Sequence, residues 1–195
     1  MNHLAHLFLS QSDVNLLVGN FIADHVKGKK IADYSAEVQR GIRMHRAIDD
    51  FTDSHAVVQQ SKERLYSKYH KYAPVIVDMF YDHILARNWK KYSPISLSSF
   101  SQSCYKVLKV QQSAFPQSAQ RFLHYMVEGD WLVGYSTIDG IGQALTGLSR
   151  RATFNSKMEL AAYDLEKEFK SYEKEFEQFF PNLNEFCIDW VKKNQ

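Results

Sequence analysis

The chain has 195 residues, 45% hydrophobic and 24% charged, with a formal net charge of +2. That length suits one domain around one core, and that balance excludes a disordered chain and a polyanion-coating one, so no nucleic-acid partner is expected. Cys104 and Cys187 lie far apart with no CxxC spacing and the eight histidines form no zinc-finger pattern, which excludes a disulfide scaffold and fits a reducing, cytoplasmic setting.

The N-terminal stretch MNHLAHLFLSQSD has no basic leader region and no long apolar run, and no segment approaches the ~20 apolar residues of a membrane span. An unexported protein without membrane insertion is expected. Next, LLVGNFIADHVKG places Asn20 and Asp24 one turn apart in an apolar run and ends in Lys27 and Gly28, as a helix C-terminus does. Residues 37 to 55 predict a helix on which Val38, Ile42, Met44, Ile48 and Phe51 span one broad arc. His45 and Asp49 fall inside that arc, whereas Arg43, Ala47 and Asp50 point the other way. An ionised carboxylate facing a core is costly unless a cation or hydrogen-bond donor meets it. A metal ion would meet it, and so would a plain His–Asp ion pair bracing two helices.

The segment PVIVDMFYDHILARNW is apolar almost all round its wheel and predicts a buried helix. Asp78 and Asp82 project from one face of it, followed directly by His83. Without a cation, two adjacent buried carboxylates repel and one must take up a proton. Towards the C-terminus, Met158, Ala162, Leu165, Phe169, Tyr172, Phe176 and Phe179 alternate steps of four and three, the stripe of an amphipathic helix packed on a bundle or a partner.

Alternating β-branched runs and hairpin turns are nearly absent, with Asp139-Gly140 as the exception. Pro74, Pro94, Pro116 and Pro181 fall at expected helix starts or ends, and loops near 28 to 35, 92 to 99 and 113 to 118 divide the helices. No repeat or long linker interrupts the chain. The expectation is an all-α, single-domain helical bundle over residues 1–195, with an additional amphipathic C-terminal helix. Nothing in the pattern specifies an oligomeric state.

Inward His and carboxylate groups without thiolates suit manganese, iron, magnesium or zinc in a hydrolytic site. Such an ion acidifies water and holds a phosphoryl oxygen, so phosphoester cleavage uses this ligand set best. Lys27, Arg46, Arg150 and Arg151 are candidates to complement phosphate charge, and each is also an ordinary solvated surface cation.

The motifs MNHLAHLFLS, GNFIADHVKG, GIRMHRAIDDFTDSH, VDMFYDHILARNW, and DWLVGY followed by LTGLSRR stand in this order over residues 1 to 151. Together they resemble the acyl carrier protein phosphodiesterase (acyl carrier protein hydrolase) family. The resemblance implies an HD-domain-like metalloenzyme that frees the serine of holo-acyl carrier protein from its 4′-phosphopantetheine arm by metal-activated water. The implied cofactor is a divalent metal, Mn²⁺ foremost, with Mg²⁺ or Fe²⁺ as alternatives. The chain departs from the HD pattern in one place: the adjacent pair reads Asp82-His83, the reverse of the usual His-Asp.

On the matching positions, Asp24, His45, Asp49, Asp78 and Asp82 are expected to supply the metal ligands. Asp24 or His83 is the expected general base, and Asn20, Lys27, Arg46 and Arg151 the expected substrate-binding residues. His6 and His55 can serve the site, the core or a helix cap, and Asp53 a partner to a ligand. An acidic carrier protein is expected to dock on basic surface at residues 27 to 30 or at Arg150-Arg151. The rival readings are an HD-like nucleotide phosphohydrolase and a non-catalytic helical interaction module.

Overall fold

A computed structural model describes residues 1–11 and 13–194. Its α-helices are α1 (His3–Phe8), α2 (Val14–Ile22), α3 (Ala36–Ser54), α4 (Ala56–Tyr69), α5 (Ala73–Arg87), α6 (Leu97–Gln111), α7 (Gln117–Glu128), α8 (Trp131–Gly134), α9 (Ile138–Arg151) and α10 (Ala161–Lys193). No strand occurs among the described residues, as the all-α expectation requires. No helix is long and apolar enough to cross a membrane.

Several helix starts are set by short polar side chains. Asp13 Oδ1 accepts the amides of Asn15 and Leu16 at 2.9 and 3.1 Å at the start of α2. Ser35 caps α3 and Thr137 caps α9, while His55 Nδ1 accepts the Val57 amide at 3.3 Å and opens α4. The Asp139-Gly140 pair that reads as a hairpin turn lies instead in the first turn of α9. Pro74 sits in the first turn of α5 and Pro116 at the N-cap of α7. Pro181 departs from expectation, because it lies inside α10. Its ring denies a partner to the carbonyl of Glu177, an exposed residue whose backbone water can reach.

Helices α2 and α3 pack closely because two glycines meet at their crossing. A Cβ on Gly19 would stand 2.5 Å from Gly41 Cα, and one on Gly41 would stand 2.7 Å from the Leu16 carbonyl oxygen. Only hydrogen fits there, so the backbones approach to contact. Helix α1 lies against both α2 and α5, and α10 runs across α3, α4, α5 and α9. The C-terminal stripe is buried at Leu165, Tyr172, Phe176 and Phe179, with Tyr172 edge-on to Phe80 at 5.0 Å and Phe176 edge-on to Tyr81 at 5.4 Å. Glu175, on the same side, is buried but met by Arg64 Nη1 at 2.8 Å. These contacts fix α10 as a brace across the helices that carry the inward polar residues.

A candidate metal centre

The close crossing of α2 and α3 brings the turn after α2 beside the middle of α3. His45 Nε2 lies 3.4 Å from Asp24 Oδ1 and 3.2 Å from Asp49 Oδ2. From α1, the ring of His6 stacks on that of His45 with centroids 3.9 Å apart. His6 Nε2 is 3.1 Å from Asp49 Oδ1, and one ligand atom from each of His6, His45 and Asp49 lies within 4.8 Å of the others. Asp24, Asp49, Asp53, Asp78 and the two imidazoles line a cavity of about 350 Å³, with Lys71 on its wall.

The hydrogen-bond network shows which charge the donor set suits. Asn20 Nδ2 donates to Ser10 Oγ at 3.1 Å and to the Leu16 carbonyl at 3.2 Å, so its Oδ1 is the atom turned to His6 Nδ1 at 3.2 Å. That acceptor places the His6 proton on Nδ1. Burial, with the neighbouring His45, pulls the His6 imidazole down to about 4, so it is neutral near pH 7. Its Nε2 lone pair therefore faces Asp49 Oδ1 and, at 3.2 Å, the Met1 carbonyl oxygen. Three lone-pair donors converging on one point suit a cation, and two imidazoles with carboxylates suit a divalent metal.

Proton chemistry tells the same story for His45. Burial opposes its charge, yet hydrogen bonds with Asp24 and Asp49 prevail and lift it to about 9. Burial also opposes the charge of Asp49, and the hydrogen bond with His45 holds its carboxyl well below the usual range. The hydrogen bond with His45 draws Asp24 down to about 2. A divalent cation held here would satisfy the same carboxylates in place of the His45 proton, and its binding would release that proton.

The other expected residues distribute as follows. Asp78 reaches the same cavity, where the Met1 amine lies 3.0 Å from its Oδ1. Asp53, on the wall, is held by Lys62 Nζ at 2.8 Å.

Asp82 and His83, expected as ligand and base, lie outside the wall of this cavity. Asp82 is fully buried, and its oxygens accept the amides of Leu4 at 2.7 Å and Ala5 at 3.2 Å, capping α1. Burial pushes its carboxyl up to about 7 against the pull of those two amides. His83 Nδ1 donates to the Tyr135 carbonyl at 2.7 Å, and its buried Nε2 has no partner.

Asn20 is buried and orients His6 through its amide. Lys27 and Arg46 are exposed and outside the cavity wall, with Arg46 Nη2 3.4 Å from the Val26 carbonyl oxygen. Arg151 lines a second, neighbouring cavity. Sequence reasoning left His6 undecided because a six-residue helix has no periodicity to read, and it passed over Lys71, whose place follows only from the tertiary fold.

Comparison with known proteins agrees with the motifs. A family model described as acyl carrier protein phosphodiesterase matches residues 1–183. A protein of that name from Photorhabdus laumondii is 33% identical over 186 residues, covering 95% of this chain and 94% of its own. One from Escherichia coli is 34% identical over 189 residues (95% and 96%), and one from Serratia proteamaculans 31% over 190 residues (97% and 98%). No solved structure matches the chain. With the motifs, the cavity and these relatives in agreement, the chain belongs to the acyl carrier protein phosphodiesterase family.

Proposed function

We propose that this chain hydrolyses the phosphodiester joining 4′-phosphopantetheine to the serine of holo-acyl carrier protein, releasing the apo protein, with a divalent metal held by His6, His45 and Asp49. The observation that carries the metal is the convergence of one ligand atom each from His6, His45 and Asp49, all within 4.8 Å of one another. The names of the relatives supply the substrate class. Oxygen and imidazole donors without thiolate favour Mn²⁺, with Mg²⁺ and Fe²⁺ as the next candidates. When bound, such an ion supplies Lewis acidity, acidifying water and drawing charge from a phosphoryl oxygen.

The chain's own residues do the rest. Asn20 fixes the His6 tautomer so that Nε2 faces the cavity. Asp24, whose side chain is 65% exposed, stands at the open side and is the base placed to take the proton of the attacking water. Lys71 offers a cation to the phosphate oxygens. The exposed lysines 27, 29 and 30 continue from the turn that bears Asp24 and offer the acidic carrier protein a basic landing surface.

Substitution tests this assignment. Asp49→Asn and His6→Ala are each expected to lower turnover of holo-acyl carrier protein by more than about 100-fold, the upper range for losing even an outer partner of a ligand. A rate within about twofold of the parent in either variant would overturn the ligand set.

A further inference from the structure

Beside the metal cavity lies a second one of about 310 Å³, and the two share Asn2 and His3 on their walls. Its volume is at the lower end of the ~300–1,000 Å³ of small-molecule sites. Its walls carry apolar side chains such as Trp131 together with Asn2, Gln143 and Arg151. Two wall positions are glycines: Gly134 ends α8, and Gly147 lies inside α9, where glycine costs about 1 kcal/mol relative to alanine. A Cβ at either position would meet nothing within 4 Å, so neither glycine is required by packing. Their effect is to leave the slot open.

We propose that this slot receives the pantetheine arm while the phosphodiester sits in the metal cavity, an inference that rests on the function proposed above. The arm is a narrow chain in which methylene and gem-dimethyl groups alternate with a hydroxyl, amides and a thiol. Apolar walls interrupted by polar groups suit that chain: the Gln143 amide and Asn2 Oδ1, whose Nδ2 already meets Met79 Sδ, can pair with the amides of the arm, and Trp131 can cover its methylenes. A purely fatty chain would leave those wall groups unpaired, a loss of binding that disfavours it. The wall shared at Asn2 and His3 is where the arm would join the phosphate.

The test titrates the full chain, with Mn²⁺ present, with 4′-phosphopantetheine and with inorganic phosphate, for the parent and for Gly147→Leu. The arm should bind the parent about tenfold or more tighter than phosphate. Gly147→Leu should keep its melting temperature, its stabilisation by Mn²⁺ and its phosphate affinity. It should lose about tenfold or more in affinity for 4′-phosphopantetheine and in kcat/KM on holo-acyl carrier protein. Equal affinity of the parent for the arm and for phosphate overturns the proposal even if Gly147→Leu fails to fold, and so does a folded Gly147→Leu that binds and turns over like the parent. If the parent binds the arm yet leaves holo-acyl carrier protein intact, the proposed activity fails and the slot stands.

Discussion

Asp78 and Asp82 look alike in the sequence, each on an inward face of the same apolar helix, and the fold separates them by what meets their oxygens. Asp78 opens to the cavity, while Asp82 is enclosed and caps α1. The periodicity made their inward direction legible, but the partner of Asp82 is the backbone of a segment 78 residues away, which no pattern within α5 encodes. His45 and Asp49 were legible as a pair for the opposite reason, because their partnership is local to one helix turn. Asp82 makes a prediction of its own. Its carboxyl is held at about 7 when folded and has an ordinary value of 3.8 when unfolded, so the folded state keeps that proton to higher pH. Between these values the unfolded chain binds fewer protons, and the contribution of Asp82 to stability falls as pH rises from about 4 to about 7. Denaturant unfolding at pH 5 and pH 7.5 should therefore show a smaller loss for Asp82→Asn than for the parent; identical losses would refute the assignment.

Among the elements, the crossing of α2 with α3 decides whether the site exists. It carries Asn20 and Asp24 to His45 and Asp49, and it depends on the contact of Gly19 with Gly41. The helices themselves were legible from their apolar arcs, and the start of α5 from Pro74. The crossing was not, since a glycine in a helical pattern does not announce which backbone approaches it. Gly41→Ala must push apart two backbones, and it should destabilise the protein by roughly 1–3 kcal/mol. It should also weaken Mn²⁺ binding, because the displacement falls between ligands on α3 and their supports on α2. An unchanged melting temperature, read by circular dichroism, would show that the crossing has slack.

At the scale of the molecule, α10 lies across α3, the helix of the proposed ligands His45 and Asp49, and across the neighbouring α5, and it buries Phe176 and Phe179. The amphipathic stripe predicted a packed face, and the structure supplies its partner, the bundle of this same chain. A metal bound only by the folded state adds stability through mass action, about 2.7 kcal/mol at a hundredfold excess over Kd. For a chain of this size that is a rise of roughly 5–10 °C in Tm, expected for the parent and absent in Asp49→Asn. The most direct measurement is the intact mass of holo-acyl carrier protein after incubation with the purified chain, with Mn²⁺ or with chelator. Loss of the 4′-phosphopantetheine mass with Mn²⁺, and its retention with chelator, is the predicted result. An unchanged carrier mass in both, or cleavage that chelator does not affect, would contradict it.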